Sequence, residues 1–422
     1  MITFRAVAKT YPDGTRAVGG IDLTIPEGKL TVFVGPSGCG KTTCLRMINR
    51  MVEPTAGSIE IDGVDVRSQH PAELRRGIGY VIQNVGLFPH RTVIDNIATV
   101  PMLTGAGRAQ ARAAARTLLE RVGLPASVAR RYPAQLSGGQ QQRVGVARAL
   151  AAHPPILLMD EPFSAVDPVV RAQLQDEMVR IQRDLGTTVV FVTHDIDEAL
   201  RLGDLIVVFA PGGRIAQVAE PATLLAAPAD DFVADFIGHD RGYRALSFAD
   251  AGALPTSPAA TVSAEAVFAA VDNGGDSGED DAALAGEPAA GRWALLIDGD
   301  RRPQGWLDRS GVQAGRAPSR NDIRLGGTLI RPGGSLRSAL DATLSSPSGS
   351  GVAVDDDGRL IGIVSAREVL AAIDRSRLAA TARDSTDPVV GYADADADAD
   401  APGNARGAAS GAADSSVASG AP

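Results

Sequence analysis

The 422-residue sequence is short of several things, and each shortage narrows what the chain can be. Its two cysteines, Cys39 and Cys44, sit five positions apart, which offers neither a disulfide framework nor a zinc cluster. That usage predicts a protein of a reducing compartment. No apolar run approaches the roughly 18 residues that a membrane-spanning helix needs. The longest candidates, such as Leu205–Ala210, are strand-sized. The opening Met1-Ile2-Thr3-Phe4-Arg5 carries no basic-then-apolar targeting segment, so a soluble chain is expected. Aromatic residues make up only 4%, and lysine is rarer still: Lys9, Lys29 and Lys41 are followed by no other, every later basic residue being arginine. We read that skew as a coding bias that leaves Lys41 as a position where lysine is not exchangeable. A basic surplus is also missing. The net charge is −9, nearly all of it beyond residue 240, and no nucleic-acid partner is expected of such a chain.

What is present is a dense pattern from Ile2 to about Ile237. Short apolar runs (Leu30–Val34, Ile156–Met159, Thr188–Val192, Leu205–Phe209) alternate with longer helical stretches (Arg108–Val122, Gln140–Ala152, Val169–Leu185). Buried strands alternating with helices predict an α/β layer. Gly35-Pro36-Ser37-Gly38-Cys39-Gly40-Lys41-Thr42 follows the first of these strands and opens a helix at Thr42–Asn49. Glycine, four residues, then Gly-Lys-Thr is a phosphate-binding loop in its proper strand-to-helix context. The glycines let successive N–H groups converge on phosphates at a helix N-terminus. Lys41 places a cation on the β- and γ-phosphates, Thr42 can ligate Mg²⁺, and Thr43 completes the first turn. Cys39 and Cys44 read as passengers, Cys44 on the buried side of the helix and Cys39 in a loop.

A second apolar strand, Ile156-Leu157-Leu158-Met159, ends in Asp160-Glu161-Pro162. Placed beside the phosphate-loop strand, it brings Asp160 to the Mg²⁺ shell and Glu161 to the water opposite the γ-phosphate. Phosphoryl transfer to water needs that division, one carboxylate for the metal and one to orient or deprotonate the nucleophile.

Between the two lies Leu136-Ser137-Gly138-Gly139-Gln140, then Gln141-Gln142-Arg143, with Ser137 lying 23 residues before Asp160. Alone, Ser-Gly-Gly-Gln is a helix N-cap with a flexible lead-in. In this order it resembles the signature of the ATP-binding cassette (ABC) family, and other positions match. Gln83, in Val81-Ile82-Gln83-Asn84, resembles the Q-loop glutamine, a catalytic and metal-shell position. Ser164-Ala165-Val166-Asp167 resembles the D-loop, with Val166 where leucine is usual, and His194, 34 residues after Asp160, resembles the switch histidine. Tyr11 matches the aromatic that stacks on adenine. The resemblance covers roughly residues 2–237. It implies a P-loop NTPase cassette, with a mixed sheet core and a helical subdomain, using ATP and Mg²⁺. Lys41, Gln83, Glu161 and His194 would be catalytic. Tyr11, Gly35 to Thr43, Ser137 to Gln140 and Asp167 would hold nucleotide, and Thr42, Gln83 and Asp160 the metal. It also implies a head-to-tail dimer of two copies with ATP at the interface, and a place on the cytoplasmic face of a membrane beside separate permease subunits and an extracytoplasmic solute-binding protein.

The stretch Asn84–Val93, together with Met47–Thr55 and with Phe232–Gly238 followed by Asp240-Arg241, resembles importers of glycine betaine, choline, carnitine or proline. Methionine and other amino-acid importers are near relatives on the cassette alone, and non-transport ATPases of the superfamily share its catalytic residues. Beyond the cassette (1–240), an acidic linker or loop is expected over 250–291, since Asp250–Glu287 holds eight acidic residues and no basic one. Ser335–Leu340 followed by Val352–Ser365 resembles one cystathionine-β-synthase (CBS) repeat, within about 325–376, and a weaker partner runs from Val262 to Leu307. Together they make a smaller α+β, degenerate tandem CBS-like module over 255–378. Its core, Arg292–Arg377, carries 13 basic and 10 acidic residues, which suits either salt-sensitive attraction to an anionic surface or a plain dimer-supporting role. Residues 380–422, with Ala-Asp alternation and a Gly/Ala/Ser end, have almost nothing to bury and are expected to be disordered.

Overall fold

Strands that are apolar throughout, rather than alternating, are buried on both faces, and that is where the five-residue apolar runs lie. The computed structural model describes residues 1–82, 86–164, 166–272, 292–310 and 318–384. Its central six strands are β3 (Leu30–Val34), β6 (Ile78–Val81), β7 (Ile156–Asp160), β8 (Thr188–Val192), β9 (Leu205–Ala210) and β10 (Arg214–Ala219). They stand in the order β10-β9-β3-β8-β7-β6, parallel except for β10. The acidic strand β7 is therefore not beside the phosphate-loop strand β3, as its sequence suggests; β8 lies between them. Apolar runs of equal length carry no mark of their order in a sheet.

Alternate residues of these strands point to opposite faces, and each face has its own core. Val32, Val34, Leu157, Met159, Val189 and Phe191 enter one. Phe33, Ile156, Leu158, Val190, Val192 and Phe209 enter the other, where they meet an antiparallel sheet. That second sheet is formed by β1 (Ile2–Thr10), β2 (Arg16–Ile25), β4 (Ala56–Ile61) and β5 (Val64–Asp65) in the order β2-β1-β4-β5. A helical segment, Val93–Ile97, Thr99–Leu103 and Arg108–Arg121, packs with the helix Gly138–Leu150 on the first core. Mixed sheets with a helical subdomain match the expected cassette. Among the described residues, no helix is long and apolar enough to cross a membrane.

The C-terminal part is built twice on one plan. In the first unit, β11 (Thr261–Ser263) runs parallel to β12 (Trp293–Ile297), which is antiparallel to β13 (Pro303–Asp308), itself paired with β14 (Ile323–Leu325). In the second, β15 (Leu329–Ile330) runs parallel to β16 (Ser350–Val354), which is antiparallel to β17 (Leu360–Ser365). A helix follows the first strand of each, Ala264–Asp272 and Leu336–Ser345. Even the turns agree: the N–H of Asp298 donates to Arg302 O and that of Asp355 to Arg359 O, while each carboxylate accepts the arginine's N–H in return. Leu295 and Trp306 of one unit share a core with Val352, Val354 and Leu360 of the other.

The acidic linker expected over 250–291 is thus corrected for residues 261–272, which form a strand and a helix whose Val262 and Val267 are buried. Acidic composition masked them because their charged positions face outward. Residues 273–291 lie outside the described residues, as does 385–422 of the expected tail. The chain divides into two units, Met1–Ile373 and Asp374–Pro422, and the described part of the second is the last turns of the helix Ala366–Asp384.

Phe33 is fully buried, its ring 5.2 Å from that of Phe209. Phe33→Ala is expected to cost about 3–5 kcal/mol, read from the urea midpoint; a loss below about 1 kcal/mol would contradict the packing described.

Candidate functional site

β3 ends at Val34, and the chain must then turn sharply enough to start the helix Lys41–Ile48 seven residues later. Glycine makes this possible at two points. A Cβ on Gly35 (φ 150°) would lie 2.3 Å from Phe209 O, and one on Gly40 (φ 97°) 2.2 Å from Ala17 O. Gly40 caps the helix without any side-chain acceptor, which leaves the first-turn N–H groups unclaimed by a cap. Lys41 is buried within this loop, its Nζ donating to Gly35 O and Pro36 O, both at 2.8 Å, with Cys39 Sγ at 3.6 Å. Pro36, Ser37 and Gly38 form the outer rim, Ser37 and Gly38 being exposed. Both cysteines are buried, so Cys39, read as a loop residue, is shielded all the same, and burial pushes the Cys44 thiol well above its usual range.

Thr42, the second residue of the helix, donates from Oγ1 to Asp160 Oδ1 at 2.8 Å. Asp160 is 5% exposed, and burial raises its carboxyl above the ordinary range against the pull of Thr42 and Arg46, whose Nη2 is 3.9 Å away. Glu161 follows at φ +46°, a left-handed conformation that costs a residue with a Cβ about 1 kcal/mol or more. Its N–H donates to Val192 O at 3.0 Å, which ties the end of β7 to the end of β8. Two residues beyond Val192, His194 presents Nδ1 3.2 Å from Glu161 Oε1. Residues 33 apart in sequence meet because Asp160 and Val192 are paired across neighbouring strands. On β8's other side, Thr193 N–H donates to Phe33 O at 3.1 Å.

Ser137 caps the helix Gly138–Leu150 in a reciprocal box: its Oγ accepts the N–H of Gln140 at 3.3 Å, and Gln140 Oε1 accepts the N–H of Ser137 at 3.1 Å. Ser137 and Gly138 are exposed and Gly139 half-buried, so this helix start opens to solvent. Tyr11 stands at the turn after β1, with Lys9 Nζ 5.3 Å from its ring centre. Asp167 is exposed, and Thr43 half-buried. Gln83 lies outside the described residues. The structure therefore brings Lys41, Thr42, Asp160, Glu161 and His194 together on the described chain and sets Tyr11, Ser137–Gln140 and Asp167 on other elements. Sequence reasoning passed over Arg46 and Glu198. The first is one helical turn beyond Thr42, a spacing that a helical reading of the segment after the loop would have exposed; the second has no such mark, since His194 precedes the helix Ile196–Leu202.

A family model described as "ABC transporter" matches residues 18–164. The chain is 53% identical over 241 residues to the choline transport ATP-binding protein OpuBA of Bacillus subtilis (strain 168), covering 57% of this chain and 63% of that protein. It is 42% identical over 354 residues to the osmoprotectant import ATP-binding protein OsmV of Salmonella typhimurium, covering 83% of this chain and 89% of that protein. Among solved structures, cbiO1 of Clostridium perfringens, part of the ABC transporter complex cbiONQ, matches with a TM-score of 0.50 at 28% identity, over 54% of this chain and 91% of that one. The chain thus spans somewhat under two-thirds of the Bacillus relative's length and nearly nine-tenths of the Salmonella relative's.

Loop geometry generates a graded prediction. Gly40→Ala should cost roughly 2 kcal/mol or more, since its Cβ meets backbone. Gly38→Ala, also at positive φ but in open space, should cost only about 1 kcal/mol. Equal urea midpoints for the two variants would contradict the close approach of the loop to Ala17.

Proposed function

The chain belongs to the ABC transporter family of ATP-binding proteins, and from that membership we propose that it is the ATP-hydrolysing subunit of an importer for quaternary-amine osmoprotectants (glycine betaine, choline or carnitine) or for proline. The observation that carries this reading is the pairing of two contacts at one sheet edge, Thr42–Asp160 at 2.8 Å and His194–Glu161 at 3.2 Å. One contact prepares a metal site and the other a base. The solute assignment is supported by the relatives named for choline and osmoprotectant transport.

In this mechanism the loop 35–43 wraps the nucleotide's phosphates with N–H groups, and the Lys41 ammonium compensates the charge on the β- and γ-phosphates. Thr42 Oγ1 and the Asp160 carboxylate are hard oxygen donors that suit Mg²⁺. When bound, the ion supplies charge neutralisation for the leaving diphosphate. Glu161 takes the proton of the attacking water as its oxygen bonds to the γ-phosphorus and the bond to the β-phosphate oxygen breaks. His194 holds the Glu161 carboxylate in place, Gln83 belongs to the same shell, and Tyr11 stacks on adenine. A second copy, head to tail, presents Ser137, Gly138, Gly139 and Gln140 to the γ-phosphate, with Asp167 at the joint. The exposed start of the helix Gly138–Leu150 supports this, because a helix N-terminus with free N–H groups attracts an anion. Permease subunits and a solute-binding protein complete the assembly, the chain lying against the cytoplasmic face of the membrane. The twice-built region 255–378 is proposed as a tandem CBS-like regulatory module, supported by the matching strand pattern of its two units.

Glu161→Gln is expected to keep ATP binding and lose hydrolysis by at least about 100-fold; Lys41→Ala should lose binding itself. Undiminished hydrolysis by Lys41→Ala would overturn the site. Radiolabelled uptake in cells lacking the chain tests the solute: loss of betaine or choline uptake supports the assignment, and loss of methionine uptake alone would replace it.

A further inference from the structure

Behind the histidine lies a carboxylate that the reaction above does not use. Glu198, on the helix Ile196–Leu202, is 9% exposed. Its Oε2 accepts from Thr193 Oγ1 at 2.7 Å, its Oε1 accepts from Gln175 Nε2 at 3.1 Å, and Arg171 Nη1 stands 3.9 Å from Oε1. Burying a carboxylate costs several kcal/mol unless hydrogen bonds and an opposite charge replace its hydration. An apolar side chain of similar size would fill the same space without that cost. The contacts of Glu198 indicate what the charge is for.

They hold the segment that carries His194, on both sides of it. Thr193, just before, donates to Glu198 and accepts the N–H of Asp195 on the same hydroxyl at 3.0 Å. Asp195, just after, caps the helix by accepting the N–H groups of Asp197 at 2.8 Å and Glu198 at 3.4 Å. The His194 side chain itself is 59% exposed. Its direction is therefore set by the anchored backbone of its neighbours more than by packing around the ring.

Arg171 carries the network to a second loop. Its Nη2 donates to Val166 O at 3.1 Å, and its own N–H donates to Asp167 O at 2.7 Å. One guanidinium thus spans the space between Glu198 and the backbone that bears Asp167.

We propose that Glu198 is a positioning residue for ATP hydrolysis. With Arg171 it keeps the Thr193–Asp195 segment and the Val166–Asp167 loop in fixed register, so that His194 meets Glu161 when the loop at Asp167 is in place. The proposal rests on the hydrolytic reading of Glu161 and adds to it a second link, behind the His194–Glu161 contact, between the segment that follows β8 and the one that follows β7. Networks of this kind act on rate more than on nucleotide affinity, because misplacing a catalytic group by about 1 Å can cost up to 100-fold.

The test uses the purified full-length chain, measuring ATPase kcat and KM, the Kd for a fluorescent ATP analogue, and the thermal midpoint. Glu198→Ala is expected to lower kcat at least about tenfold while KM and Kd change less than about twofold. Glu198→Gln, whose one amide oxygen keeps the Thr193 bond and whose NH2 can bond Gln175 once that amide turns its own oxygen inward, should recover most of the rate. Combining Glu198→Ala with Arg171→Ala should cost no more than the larger single loss, as for members of one network. A folded Glu198→Ala chain turning over at the parental rate overturns the proposal. So does a loss of kcat and binding together, in step with the folded fraction, with Glu198→Gln behaving like Glu198→Ala. Should Glu198→Ala fail to fold, Thr193→Val removes one hydroxyl at constant shape; it must show the same selective loss of kcat, and a parental rate there also overturns the proposal. Parent and Glu161→Gln are assayed alongside. If the parent does not hydrolyse ATP, or Glu161→Gln hydrolyses equally fast, the functional reading fails; otherwise a parental rate at Glu198 and Thr193 defeats this inference alone.

Discussion

Everything at the site depends on three parallel strands ending together. β3, β8 and β7 are neighbours in that order, and their carboxyl ends are stitched by two backbone hydrogen bonds, Thr193 N–H to Phe33 O and Glu161 N–H to Val192 O. Because parallel strands all point the same way, each chain leaves the sheet on the same edge. The phosphate loop, the carboxylate pair and the histidine therefore arrive within a few ångströms of one another from positions up to about 160 residues apart. No side chain has to reach far, and the longest of the five, Lys41, is held by the carbonyls of its own loop.

The same edge concentrates charge where water is scarce, and the structure offsets it locally. Lys41 is held by the carbonyls of its own loop, and Asp160 by Thr42 with Arg46 nearby. Burial pushes both Asp160 and Glu198 above the usual carboxylate range, the first facing the nucleotide loop and the second behind the histidine. Two buried carboxylates on either side of the Glu161–His194 pair are a cost that folding alone does not require. The positive φ of Glu161 is a third such cost, tolerated because the bond to Val192 over-determines the turn.

Beyond the cassette, order is maintained by duplication. Two small units that would each bury little share one core through Leu295, Trp306, Val352 and Val354, and the turn of the first supports the second, since Leu360 N–H donates to Arg301 O at 2.9 Å. The connecting stretch is fastened as well, with Leu336 N–H donating to Ala249 O at 2.8 Å and the Tyr243 hydroxyl to Asp341. Acidic composition hid only the start of the first unit: Val262 and Val267 are too sparse among alanines and carboxylates to announce a strand and helix whose core is completed by Ala294, Leu296 and Leu307 further along the chain.

The sequence alone determined the phosphate loop, the Asp160-Glu161 strand end, the capped Ser137 helix and the alternation of strands with helices. Each of these is local chemistry: glycine where φ must be positive, an apolar run where both faces are covered, a hydroxyl where a helix begins. It also determined the kinship, because those local signals occur in a characteristic order. Only the tertiary structure decided that β8 separates β3 from β7, that His194 lies against Glu161, and that Glu198 and Arg171 fasten the loops behind them. Strand order and side-chain contact across 30 or more residues follow from which surfaces pack best, and an apolar strand of five residues fits beside any of its neighbours until the whole sheet is assembled.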